Sequence, residues 1–278
     1  MALRINTNID ALTIQRNLTI THRKLSRSLE RLSSGYRINR AADDAAGFTV
    51  ANSFRAKISS LRVAYQNATE SNAMLQVADG AYTEIHNILM RMKDLATQAA
   101  GDQITDSDRD LLNTEFVQLQ NELDRIAQAS KYNGVNLVYS TSAGVAASFT
   151  FQIGALNASH DKLHVELNAV STAALGLDSA SIGTATDAAN AMTSLDTALS
   201  SVNTYMSKVG AYQNRLQHTM DNLNIMIENY SASESAIRDV DMAYEVTQFT
   251  KAQILEQSGM AMLAQANSVP QQVLELLR

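Results

Sequence analysis

"ISSLRVAYQNATESNAMLQVADGAYTEIHNILMRMKDLATQAA", residues 58–100, repeats its apolar side chains at one alternating interval. Ile58, Leu61, Tyr65, Ala68, Leu75, Ala78, Tyr82, Ile85, Leu89, Met92, Ala96 and Ala99 follow one another three and four residues apart, and only Asn72 interrupts them. That spacing gathers on one stripe of an α-helix and on neither face of a strand. It predicts a helix of about 45–50 residues, roughly 70 Å long at the helical rise. Gly101 ends it. "ITDSDRD" (Ile104–Asp110) then offers Thr, Asp and Ser as caps, with acidic residues in the first turn of a second helix. The stripe of that helix is Leu112, Phe116, Leu119, Leu123 and Ile126.

The later part of the chain repeats the pattern. Leu195, Leu199, Val202, Met206, Val209, Leu216, Met220, Leu223, Ile227, Tyr230 and Ile237 hold the same register, with Gln213 and Glu234 as polar interruptions. A long helix with one apolar stripe cannot bury it alone, so these helices must pack side by side as a bundle or coiled coil. Between the two halves the period changes to two. Phe149, Phe151 and Ile153 alternate with polar residues, as do Leu163, Val165 and Leu167, which predicts a short β-hairpin. Residues 171–190, rich in Ala, Ser, Thr and Gly, read as a loop. The fold class is therefore mainly α, a long-helix bundle with a small β-hairpin.

Both chain ends are amphipathic helices without a neighbour in sequence. Ile5, Ile9, Leu12, Leu18, Leu25, Leu29 and Leu32 form one stripe; Leu255, Met262, Val269 and Leu276 recur every seven residues in the other. The two ends are expected to pair with each other or with copies of themselves.

Composition agrees. The 278 residues include no Cys, no Trp and one Pro, with 5% aromatics, which favours long helices over a compact enzyme with many turns. Without Cys there are no disulfides and no thiolate chemistry. No apolar run approaches the ~18 residues of a membrane span, and the first residues lack the apolar core of a secretory signal. Residues 1–42 carry eight Lys/Arg against Asp10 and Glu30, a net of +6 in a chain whose total is −6. Such a start resembles an organelle transit peptide, but the matched C-terminal helix argues for a solvated helix face. Nucleic-acid binding needs a strongly basic domain, and most of this chain is acidic.

Two clusters come near to a catalytic pattern. "HDKLH" (His160–His164) is one residue from H-E-x-x-H, but that motif needs a helix, and here the residues enter an alternating strand, where i and i+4 lie roughly 13 Å apart. Asp43 and Asp44 lack further ligands nearby, and salt bridges to Arg37 and Arg40 are the better reading. There is no phosphate loop, dinucleotide fingerprint or nucleophile elbow, so no catalytic residue, metal or cofactor is assigned. The methionines lie mostly in helical stripes and read as core.

Four stretches carry a resemblance: "INTNIDAL" at the start, "ERLSSGYRINRAADDAAG", "SASESAIRDVDMAYEV", and the closing "AQILEQSGMAMLAQANSVPQQVLELLR". Together they resemble bacterial flagellin, in that family's chain order, over roughly residues 1–140 and 190–278. The resemblance implies a structural subunit that polymerises with itself into the helical flagellar filament, outside the cell. It is expected to leave unfolded through the flagellar type III apparatus and to assemble at the distal tip. It implies an inner coiled coil of residues 1–34 and 245–278, a connector at 35–47 and 238–244, and a bundle of 48–190 and 191–237 with its hairpin near 145–170. Large outer domains are missing, so the chain resembles a short form. Arg37, Arg40, Asp43, Asp44, Arg238, Asp239 and Asp241 are the expected connector and subunit-contact residues. The implied partners are an export chaperone on the C-terminal helix, filament cap and hook-junction proteins, and the host Toll-like receptor for flagellin, with Arg91, Leu95 and Glu115 at the matching positions. No nucleic acid or membrane insertion is implied. A signalling coiled coil, the alternative for heptads, lacks an anchor and a hairpin tip.

Overall fold

The computed structural model describes residues 7–141 and 144–276, of which 269–276 as backbone only. Ile5 lies outside the described residues. The chain runs α1 (Ile9–Ser34), α2 (Ala45–Ala99), α3 (Asp106–Ala129), β1 (Lys131–Tyr132), β2 (Val135–Asn136), β3 (Val145–Gln152), a 3₁₀ turn (Ser159–Asp161), β4 (Lys162–Asn168), α4 (Ala185–Arg238) and α5 (Met242–Leu276). It divides into two compact units, residues 59–228 and residues 1–58 with 229–278.

In the unit 59–228, α2 supplies Leu75, Tyr82, Ile85, Leu89, Met92 and Leu95 to the core. Phe116 and Leu123 of α3, and Leu195, Val202, Val209 and Leu216 of α4, complete the helical part. The stripe seen in the sequence is the buried one, with two shifts: Ala64 is buried where Tyr65 is only half-buried, and the second falls at the polar break. The core position at its polar break is taken by Ser71, not Asn72; Ser71 is buried and its hydroxyl donates to Asn67 O at 2.6 Å. A serine that satisfies itself on the preceding turn of its own helix leaves no orphan polar group in the core. Tyr82 is likewise fully buried, donates to Asn168 O at 2.7 Å, and burial pushes its pKa well above the usual tyrosine range.

The hairpin forms where the period-two pattern places it. β3 and β4 pair antiparallel, with Phe149 opposite Val165 and Phe151 opposite Leu163. Leu163, Val165 and Leu167 face the core while Lys162, His164 and Glu166 face out. A smaller hairpin, β1–β2, was not expected. It turns on Asn133 and Gly134, both at positive φ (48° and 80°), the pair that a two-residue turn between twisted strands requires.

The segment read as a loop to residue 190 is shorter. α4 begins at Ala185, because Thr184 caps it: its hydroxyl accepts from Asp187 N at 3.1 Å and donates to the Asp187 carboxylate at 2.7 Å. Residues 171–184 are fastened to α3 by three polar side chains. The Asp124 carboxylate accepts from Thr172 N and Oγ1 at 2.8 and 2.7 Å. Gln120 donates to the carbonyls of Leu177 and Ala180, and Asn113 Oδ1 accepts from Ile182 N at 3.0 Å. Leu177 and Ile182 are thereby fully buried.

At the α2–α3 corner, Thr105 is the N-cap of α3, its side chain accepting from Asp108 N. Arg109 is almost fully buried there. It donates to the carbonyls of Ala99 and Gly101 at 2.8 and 2.9 Å and to the Asp106 carboxylate at 2.7 Å. A cation thus closes the negative C-terminal end of α2.

Candidate functional site

The unit formed by 1–58 and 229–278 holds the expected terminal pair. α1 and α5 lie against each other. Asn8, the N-cap of α1, donates to Ala266 O at 2.9 Å; His22 meets Glu256 at 2.9 Å and Arg31 meets the buried Glu245 at 3.5 Å. The close approach is set by Gly259, where a Cβ would stand 3.1 Å from Leu18 Cδ1.

The seam of this pair takes only part of the apolar stripe read from the sequence. On α1 the less exposed positions include Ile14, Leu18, Thr21, Leu25, Ser28 and Leu32; on α5 they include Glu245, Phe249, Ala252, Glu256, Gly259, Leu263 and Ala266. Small and polar residues fill much of it. Leu18, Leu25 and Leu32 of the predicted set are half-buried there. Ile9, Leu12, Leu29, Leu255 and Met262 stand outside it, each 51–58% exposed, with Ile254, Val246 and Met260 also exposed beside them. Val269 and Leu276 belong to helix backbone without a described side chain.

Below the pair the two chain segments form a clasp. Gly35 ends α1 in the left-handed conformation, φ 75°, with its N–H on Arg31 O. Arg37 N donates to Arg238 O at 2.7 Å and Val240 N to Gly35 O at 3.0 Å, so Tyr36 and Asp239 bridge as in an antiparallel sheet. The Arg37 guanidinium adds a bond to Ile237 O at 2.6 Å. Arg238 is the centre of the clasp. It is 9% exposed, lies 4.3 Å from the Tyr36 ring centroid and 6.0 Å from that of Phe48, and donates to Ile38 O at 3.3 Å. Its nearest carboxylate, Glu234, is 4.0 Å away, so aromatic faces and a carbonyl do much of the work of holding this charge.

The aspartates serve the backbone. Asp43 accepts from the N–H groups of Asn39 and Arg40 at 3.3 and 3.2 Å. Asp44 caps α2 by accepting from Gly47 N at 2.9 Å, and Asp241 caps α5 by accepting from Tyr244 N at 3.1 Å. Asp239 accepts from Ser235 Oγ at 2.6 Å. Arg40 pairs with Glu30 at 2.9 Å, and Asp43 has Arg27 at 4.0 Å, so the pairing of Arg37 and Arg40 with Asp43 and Asp44 expected from proximity is replaced by these partners. A Cβ at Gly47 would stand 2.5 Å from Asp44 Oδ2 and 2.9 Å from Ile38 Cδ1, so those side chains would have to shift to admit a larger residue.

The remaining candidates lie in the other unit. Arg91 and Glu115 form an exposed ion pair at 2.7 Å, whereas Leu95 between them in sequence is 1% exposed and part of the core. His160 and His164 fall on the 3₁₀ turn and on β4, without the helix that zinc-protease chemistry needs. Sequence reasoning missed Thr21, Ser28, Glu245 and Gly259 in the terminal seam. Apolar periodicity cannot flag small and polar residues, but the seven-residue interval from Thr21 to Ser28, and from Glu245 through Ala252 to Gly259, could have found them.

Carboxylates that cap helices, an arginine caged by rings, and paired chain ends make this a protein of long paired helices. Two family models match: "Bacterial flagellin N-terminal helical region" over residues 5–143 and "Bacterial flagellin C-terminal helical region" over residues 192–277. The chain is 42% identical to a flagellin of Halalkalibacterium halodurans over 274 residues, 99% of both chains. It is 39% identical to the flagellar filament 33 kDa core protein of Treponema phagedenis over 286 aligned residues, 99% of both. The crystal structure of Bacillus cereus flagellin matches 57% of this chain and 88% of its own, at 31% identity and a TM-score of 0.50. The chain belongs to the bacterial flagellin family, the structural proteins of the flagellar filament.

Proposed function

We propose that this chain polymerises with copies of itself into the flagellar filament through its terminal helix pair. The observation that carries this reading is the apolar surface the pair leaves uncovered: Leu18, Leu25, Phe249 and Leu263 share the seam with small and polar residues, while Ile9, Leu12, Leu29, Ile254, Leu255 and Met262 face outward. Apolar side chains around a helix call for cover on every side, and a second, third and further copy of the same pair is the cover a homopolymer supplies. Residues 1–34 and 245–278 form the inner coiled coil, 35–47 and 238–244 the connector, and 48–190 with 191–237 the long-helix bundle with its hairpin. Export of the unfolded chain by the flagellar type III apparatus, growth at the distal tip beneath a cap protein, attachment to a hook-junction protein, and a chaperone on α5 before export complete the reading. The exposed α5 surface supports the chaperone role. A Toll-like receptor at the α2–α3 surface would meet the Arg91–Glu115 ion pair, because Leu95 is closed off in the core.

Seeded elongation tests it. Purified chains added to sheared filament seeds lengthen them, as followed by electron microscopy. Chains lacking residues 1–34 or 245–278 stay soluble and add nothing. Normal filaments grown from either truncation sink the proposal.

A further inference from the structure

We propose that Met242, Met260 and Met262 form an oxidant-sensitive switch on the assembly surface: their conversion to sulfoxides in the free subunit stops polymerisation. This rests on the reading that α5 is buried between copies.

The methionines of the chain fall into distinct groups. Met74, Met92 and Met220 are in the core at 7% exposure or less. Met192, Met206 and Met226 are half-covered. Met90, Met242, Met260 and Met262 stand between 49% and 56% exposed. Three of these last four belong to α5. Met242 and Met260 are five full helical turns apart and share one line along the helix, while Met262 lies on the opposite flank. Thioethers therefore border the seam on both sides, next to Val246, Ile254 and Leu255, which are also exposed.

The chemistry needs an oxidant from outside, hydrogen peroxide or a hypohalous acid. The sulfur lone pair attacks the terminal oxygen of the peroxide. The O–O bond breaks, an S–O bond forms, and the hydroxide released takes the proton from the new S–OH group, leaving the sulfoxide and water. Sulfur is oxidised by two electrons and the peroxide reduced by two. The product replaces a flexible apolar group with a strong hydrogen-bond acceptor. On an apolar face about to be covered by apolar side chains, that oxygen loses its water and gains no donor. Three such oxygens on one helix oppose assembly together. Burial in the polymer would also shield the sulfurs, so the switch acts before addition to the filament. Sulfoxide reductases, one for each epimer, reverse it in the free subunit.

The test uses the full chain, treated with hydrogen peroxide and then offered to untreated seeds. Peptide mapping is expected to find sulfoxide at Met90, Met242, Met260 and Met262 well before Met74, Met92 and Met220. Elongation is expected to fall by about tenfold or more and to return after treatment with both reductases. The variant M242L/M260L/M262L keeps elongating after peroxide, whereas M90L loses elongation like the parent chain. Undiminished elongation by mapped, oxidised subunits overturns the switch alone, as does equal loss in the triple-leucine variant. Failure of untreated chains to elongate seeds overturns the polymerisation reading and the switch with it.

Discussion

Arg109 joins the end of one helix to the start of the next with a single guanidinium. Its three bonds reach two carbonyls at the end of α2 and a carboxylate in the first turn of α3. Removing it leaves carbonyls without donors in a buried corner, so Arg109→Ala is expected to lower subunit stability by about 2–3 kcal/mol in urea unfolding. An unchanged midpoint would mean that water replaces the guanidinium without cost. Asp44 has a narrower job. Asp44→Ala should cost about 1 kcal/mol and Asp44→Asn only a few tenths, since an amide oxygen caps nearly as well; equal losses in the two variants would assign Asp44 a charge role instead of a capping one. At this scale the sequence is only partly readable. The aspartate pair reads from the sequence as ion-pairing, whereas Asp44 caps α2 and Asp43 accepts from the backbone of Asn39 and Arg40. The partners of Arg109 and the rings around Arg238 come from segments far apart in the chain, and no local pattern announces them.

Helices and strands follow from periodicity where elements are long enough to show it. α2 and α4 each run more than fifty residues in one register, so an interruption at one position hardly weakens the signal. β1 and β2, two residues each, have no room for a period, and only the Asn133–Gly134 turn betrays them. The crossover 171–184 has no period either; it owes its order to Asn113, Gln120 and Asp124 on the polar face of α3. Asp124→Ala is therefore expected to destabilise the subunit by about 1–2 kcal/mol and to speed amide exchange across Thr172–Ile182. Lys93→Ala, which breaks the surface pair with Asp196, should change stability by less than about 0.5 kcal/mol. Matching effects from the two substitutions would contradict the fastening role of α3.

For the whole molecule, the pairing of the chain ends was readable as a need, since neither terminal helix has a partner near it in sequence. Which face each helix turns inward was not. Leu255 and Met262 belong to the apolar stripe read for α5, yet Ala252 and Gly259 line the seam, because close approach of two backbones favours small side chains over large ones, and Glu245 lies there as the partner of Arg31. The pairing also has a consequence for the order in which structure is acquired. Asn8 meets Ala266 across 258 residues, and Arg31 meets Glu245 across 214. Closing so long a loop comes at an entropic disadvantage that local contacts do not share. The first helix made must wait, without its partner, until the last one exists, so its pairing with α5 comes at the end of folding.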